Sequence, residues 1–316
     1  MGHESEKARV RRRRVRYSIE ASLFGLAFRL IPSLSRQGVV GLARVLGWIA
    51  WHVDRRDRRI ALANLDLAYG STLSVAEKVA IARRVFRNFA QTSLDYFWFA
   101  RNTRERIDRY VTMEESMDPV LGHGPIVGVT AHYGNWEILA QAAALHGSPL
   151  SSVAKPLQNP ALDARVNHLR EETGQHIIAR EGALKSLVKV LRNKGIVAMA
   201  LDQDTRVSDG GVFVSFFGVP VPISSAAAGL ALRLRTPVVV VFCRHEEGGR
   251  YRCYLREWLS PDSMAGLSME ALTARISAVV EAEIRREPAQ WLWTYKRWKR
   301  RQPGFDASRY PFYADC

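Results

Sequence analysis

The sequence predicts an α/β fold: a mixed, mainly parallel sheet wrapped by helices, preceded by N-terminal helices that associate with a membrane. Three observations carry this. From Val111 onward, short apolar runs rich in β-branched residues alternate with helical stretches. Helix signals fall between the runs: Asn159-Pro160 opens a helix that Gly174 closes, and Gly195 follows a second helix over 181–194. A hydrophobic content of 47% over 316 residues is enough to build one large core.

The elements follow in order. Lys7–Arg16 holds seven basic residues in ten, which predicts a disordered arm over 1–16 that is drawn to anionic headgroups. The apolar stretches Ile19–Ile31 and Gly38–Val53 each read as a helix in the membrane interface or as a buried bundle helix, and 17–53 is set apart as a membrane-associating segment. Neither stretch is long and apolar enough to predict a spanning helix, and no small-residue cleavage site follows them. A single domain is expected over 54–316. Within it, Ser74-x-x-Glu77 is a capping box that starts a long helix with an aromatic face. Strands are expected at 126–130, 151–154, 177–178, 196–201, 212–216 and 237–243, with a return strand at 251–256.

A net charge of +15 calls for an anionic partner: nucleic acid, a membrane surface, an acidic carrier protein or a phosphorylated lipid. Cys243, Cys253 and Cys316 have no C-x-x-C spacing, so reduced thiols are expected, not a disulfide or zinc framework. There is no Walker loop, no G-x-S-x-G elbow and no His/Cys spacing for a metal, and Gly122-x-Gly124 precedes a strand where a dinucleotide fingerprint would follow one.

The chemistry-bearing stretch is Ile126–Glu137. A buried strand ends at His132, Tyr133-Gly134-Asn135 makes a turn, and a helix begins at Trp136. A histidine just past a strand end is placed for chemistry in an open α/β sheet. Glu137 lies in the first helical turn, and the Gly134 turn can fold it back onto the imidazole to make an oriented general base. A hydrogen-bonded structural histidine is the plainer alternative.

His132-x4-Glu137, as HYGNWE, resembles the H-x4-[DE] motif of the lysophospholipid acyltransferase superfamily, and most closely the branch holding the late lipid A (lauroyl/myristoyl) acyltransferases. Four further stretches carry the likeness. Lys155-Pro156 with Asn159-Pro160 stands where the family has a basic residue, usually Arg, then Pro and Asn-Pro. Asp202-Gln203-Asp204 resembles its D-Q-[DN] element. Gly211–Gly218, as GVFVSFFG, matches its G-V-F-V-x-F-F-G block, and Ile284–Arg301 resembles its terminal I-R-x-x-P-x-Q-W-L-W run, with Tyr295 in place of the usual His. An Arg-rich segment before an Asn-Leu helix, here Arg55–Leu65, also has its counterpart.

The resemblance implies a glycerolipid-acyltransferase-like fold and an O-acyltransferase at the cytoplasmic face of the inner membrane. The donor would be a fatty acyl thioester on acyl carrier protein or coenzyme A, with no cofactor and no metal, and the acceptor a hydroxyl of an anionic glycolipid, typically a lipid A precursor. His132 would be the base and Glu137 its orienting partner, with backbone N–H groups at Gly134-Asn135 and Lys155 stabilising the oxyanion. Asn135, Lys155, Asp202 and Asp204 would contact substrate, and Phe213, Phe216 and Phe217 would wall the acyl groove. Oligomeric state is left open, and nucleic acid is not an expected partner. A sibling enzyme acting on a phosphoinositide mannoside or ornithine-type lipid shares these motifs. A non-catalytic basic binding protein explains the charge alone.

Overall fold

The computed structural model describes residues 2–179 and 182–315. Four helices come first: α1 (Gly2–Leu30), α2 (Arg36–Val53), α3 (Arg55–Tyr69) and α4 (Val75–Trp98). Ser74 accepts from the Glu77 N–H while the Glu77 carboxylate accepts from the Ser74 N–H, so the expected capping box starts α4. After α5 (Thr103–Tyr110) the chain builds β1 (Val111–Met113), β2 (Ile126–Thr130), α6 (Trp136–Leu145), β3 (Leu150–Ala154), α7 (Pro160–Glu172), β4 (His176–Ala179), α8 (Ala183–Arg192) and β5 (Ile196–Ala200). A hairpin, β6 (Gly211–Phe216) and β7 (Val219–Ser224), stands apart as a two-stranded sheet. The chain returns through α9 (Ala226–Leu234), β8 (Val238–His245), β9 (Tyr251–Leu259) and α10 (Met269–Arg286).

The main sheet has the order β1-β9-β8-β2-β5-β3-β4, with every neighbouring pair parallel except β8 and β9. The expected mixed, mainly parallel sheet is therefore present. Its central strands are apolar on both faces because helices cover both. Val127, Val129, Val197, Val238 and Val240 pack into one core, and Ile126, Ile196, Val239 and Val241 into the other. The C-terminal ends of β2, β5, β3 and β8 meet at one edge, which is where a site forms in such a sheet.

Two sequence expectations are corrected, and one strand is added. The basic stretch expected as a disordered arm over 1–16 is helical from Gly2, continuous with the apolar part of α1. The segment 17–53 is not separate from the domain over 54–316, because α2 packs along α4 in the core. The Arg36 guanidinium is buried against Asp95 of α4, and Gly47 meets the Arg87 backbone so closely that a Cβ would lie 2.6 Å from its Cα. Strand β7 was not among the expected strands, and it carries Pro220 and Pro222. They fit an edge of a two-stranded hairpin, where a missing N–H breaks no central ladder. Cys243 and Cys253 face each other across β8 and β9 as free, buried thiols, and Cys316 lies outside the described residues.

Candidate active site

His132 leaves the end of β2 and turns back at Gly134, whose φ is +58°. A Cβ there would stand 1.8 Å from the Cys243 carbonyl oxygen, so only glycine lets this loop lie against β8. Asn135 then caps α6, its side chain accepting from the Ile138 N–H at 3.1 Å.

The carboxylate that orients the imidazole is Asp202, two residues past the end of β5. Its Oδ1 accepts from His132 Nδ1 at 2.8 Å and its Oδ2 from the His132 backbone N–H at 2.9 Å. The Trp291 indole N–H also donates to Oδ2, at 2.8 Å. A carboxylate can only accept, so the Nδ1 position carries the proton and Nε2 keeps its lone pair. That lone pair faces the exposed Gln203 amide at 3.1 Å. Burial works against a charged imidazole here. The charge and hydrogen bond of Asp202, with the charge of Glu137, outweigh it and raise the His132 pKa above its ordinary 6.5. Burial also acts to raise the Asp202 carboxyl, but His132, through its charge and hydrogen bonds, and Trp291 hold it below the usual range. About 21% of the His132 side chain is exposed, so its free edge is open to a substrate. The Trp136 ring packs on the imidazole edge, its centroid 4.8 Å away.

Glu137 is not the hydrogen-bond partner of His132. Its two oxygens accept a fork from Arg170 of α7, at 3.1 and 2.6 Å, and it acts on the imidazole through charge. The spacing predicts a carboxylate in the right turn of the helix but not an arginine from two elements away. The Gly134 and Asn135 N–H groups, expected as oxyanion donors, are already bonded to the carbonyls of Gln290 and Cys243, both at 2.8 Å.

The other expected site residues divide. Lys155 follows β3 at the same sheet edge and is exposed. Asp204 is held by Arg300 at 2.8 Å, and its N–H donates to the Tyr295 hydroxyl, so it ties the terminal segment down. Phe216 and Phe217 are core, not groove wall. They pack on Trp291, Trp293 and Trp298, and the Phe217-Gly218 turn between β6 and β7 has positive φ at both positions. Phe213, on the same hairpin, is half-buried.

The terminal run supports the His132 loop from beneath. Trp291, Trp293 and Trp298 are fully buried, and the Leu292 N–H donates to the His132 carbonyl at 3.0 Å. Asn64 of α3, inside the expected Asn-Leu helix, is buried and donates to the carbonyls of Trp293 and Tyr295 at 2.7 and 2.8 Å. Arg170, Gln203 and Trp291 are the members of this constellation that sequence reasoning did not single out. Gln203 and Trp291 lay inside quoted motifs, whereas nothing local marks Arg170.

A family model described as bacterial lipid A biosynthesis acyltransferase matches residues 7–300. A lipid A biosynthesis acyltransferase of Haemophilus influenzae is 26% identical over 266 residues, which is 81% of this chain and 82% of that protein. The lipid A biosynthesis lauroyltransferase of Escherichia coli K12 is 25% identical, covering 89% of this chain and 91% of its own length. The myristoyltransferase of the same organism is 25% identical, with 90% and 86% covered. A solved 1-acyl-sn-glycerophosphate acyltransferase from Thermotoga maritima aligns with a TM-score of 0.40 at 15% identity, over 81% of this chain and 99% of that one.

Proposed function

The chain belongs to the bacterial lipid A biosynthesis acyltransferase family, and on that premise we propose that its site moves a fatty acyl group from a thioester to a hydroxyl of a lipid A precursor by general-base catalysis at His132. The observation that carries this is the imidazole fixed by Asp202 through Nδ1, with Nε2 turned to the open edge. The acceptor hydroxyl displaces the Gln203 amide from Nε2 and gives up its proton there as its oxygen attacks the thioester carbonyl. The C–S bond then breaks, and the imidazolium returns the proton to the leaving thiolate. Asp202 keeps the tautomer and stabilises the imidazolium, and Glu137 adds negative charge beside it. Gln203, beside Nε2, and the exposed Lys155 after β3 are the donors we assign to the oxyanion. Asn135 acts by capping α6 and fixing the loop.

The donor is acyl carrier protein or coenzyme A; the basic surface favours the acidic carrier. The protein works from the cytoplasmic face of the inner membrane, lying on it. Along α1 the apolar side chains of Ile19, Leu23, Leu26 and Leu30 are exposed at helical spacing, and on α2 those of Val45, Trp48, Ile49 and Val53. Among the described residues no helix is long and apolar enough to cross a membrane.

The test is transfer in detergent from labelled acyl carrier protein and coenzyme A thioesters to a lipid A precursor. Wild type should transfer. His132→Ala should lose about 10²–10⁴-fold in kcat, the usual worth of general-base catalysis, and Glu137→Ala, which removes only a neighbouring charge, should lose less, both while staying folded. Near-normal turnover by folded His132→Ala would overturn the mechanism. Transfer only to another lipid would move the acceptor and keep the chemistry.

A further inference from the structure

Between α2, α4 and the β8–β9 hairpin lies a cavity of about 920 Å³. Five arginines line it: Arg44 from α2, Arg84 and Arg87 from α4, and Arg244 and Arg250 from the hairpin. Arg244 is answered by Glu246 and Glu287, at 3.4 and 3.2 Å. Among the described residues, Arg44, Arg84 and Arg87 have no carboxylate within ion-pair distance. Arg84 and Arg87 lie three apart on α4, on one face, so like charges are held together. The pKa of Arg87 is lowered by burial and then by the charges of Arg84 and Arg44. The close approach of Gly47 to the Arg87 backbone keeps the two helices, and so the three cations, together. Glu246, Glu247 and Glu287 also line the cavity, on the side of Arg244 and Arg250, so the three guanidiniums left without an ion pair, those of Arg44, Arg84 and Arg87, are the ones that fit an anionic ligand, and their forks match phosphate oxygens.

The cavity also adjoins a small space beside the His132 loop. Asn88 and Gln290 line both this cavity and the narrow cleft that holds His132 and Trp136. Gln290 accepts from the Gly134 N–H on one side, and its side chain bonds the His245 backbone at 3.0 and 3.1 Å on the other. A group seated among the arginines is thus one residue away from the loop that carries the base. A recess of this size suits a phosphorylated sugar headgroup.

We propose that this cavity binds a phosphate of the acceptor glycolipid, held by Arg44, Arg84 and Arg87, and so aims the acceptor hydroxyl at His132. This rests on the acyl-transfer reading of the neighbouring site.

Two readouts test it on the full-length protein, with Arg84→Gln/Arg87→Gln and, separately, Arg44→Gln, each checked for an unchanged melting transition. The first is independent of turnover: calorimetric binding of a soluble phosphorylated glucosamine disaccharide, with inorganic phosphate as a second probe. Wild type should bind the phosphosugar more tightly than phosphate, and each variant should weaken it about tenfold or more, the worth of one charged hydrogen bond. Equal binding by wild type and variants, or no binding to wild type, overturns the proposal. The second compares acyl transfer to the phosphorylated precursor and to its phosphatase-treated form. The variants should show a raised KM for the phosphorylated acceptor and lose the preference wild type shows between the two. A KM raised for acyl carrier protein alone would make the cations a carrier dock and refute the phosphate seat. So would a parallel loss of binding to phosphatidylglycerol vesicles with both acceptors affected equally. If wild type binds the phosphosugar yet transfers to no lipid A precursor, the acyl-transfer reading fails and the phosphate seat stands.

Discussion

At His132 two opposed influences set the working pH. Burial favours the neutral ring, while Asp202 and, at longer range, Glu137 favour the charged one and win, so the folded pKa lies above 6.5. The stability contributed by the charged imidazole is therefore fully present below pH 6.5 and is lost as pH rises through the folded pKa. Asp202, held low, contributes in the opposite sense: its stabilisation is present above 3.8 and is lost as pH falls through its folded value. The proposed general-base step needs the neutral ring, so the acid limb of kcat/KM should lie above pH 6.5. In Asp202→Asn the larger raising influence is gone and only the charge of Glu137 opposes burial, so that limb should move to lower pH while the plateau falls about 10²–10⁴-fold. A pH–rate profile of both proteins checks this; an unmoved limb would mean that Asp202 does not set the imidazole. Asp202 was legible in the sequence as a strand-end acid, but its partner was not. His132 and Asp202 are 70 positions apart and meet only because β2 and β5 pair in register.

The turn from β2 into α6 is the element on which the site depends. Gly134 has both a left-handed φ and a Cys243 oxygen where its Cβ would be. Gly134→Ala should destabilise the fold by about 2 kcal/mol or more, from backbone strain and overpacking together. Urea unfolding followed by tryptophan fluorescence measures this, and transfer activity should fall with it. The turn itself reads from the sequence, since Gly between Tyr and Asn ends an apolar run. Its exact partners do not, because they come from β8 and from the Gln290–Leu292 segment, more than 100 residues later. The terminal run makes the same point. Its interleaved Trp and basic residues suggest a membrane interface or a stacking surface, yet the tryptophans are buried and Arg297 has no exposure. Alternation of residue types shows which side chains differ, not which way a non-repetitive segment faces.

Across the whole molecule, charge and exposed apolar surface act together. The net charge of +15 supplies long-range attraction to an anionic surface, weakened by salt. On the proposed attachment to a membrane, the exposed apolar side chains of α1 and α2 would supply insertion. Leu23 is 62% and Trp48 is 65% exposed, so neither substitution opens a cavity. Leu23→Asp/Trp48→Glu should reduce co-sedimentation with phosphatidylglycerol vesicles at high salt at least tenfold, since each buried apolar side chain is worth about 1.5–3 kcal/mol. The melting transition should hardly change. Vesicle binding that survives both substitutions would assign attachment to charge alone.

The sequence by itself determined the alternating α/β order, most strand positions, the capping box, the candidate base and, through five motifs, the family. These are properties of local pattern: periodicity, caps and short spacings are written within a few residues of one another. Tertiary structure decided the rest. It placed Asp202 on the imidazole, gave Glu137 to Arg170, and committed the Gly134 and Asn135 N–H groups elsewhere. It turned the phenylalanine block inward and brought Arg44, Arg84 and Arg87 around one cavity. Each of these is a meeting of side chains or backbone groups from separate elements. Strand order and helix packing fix such meetings, and no local spacing encodes them.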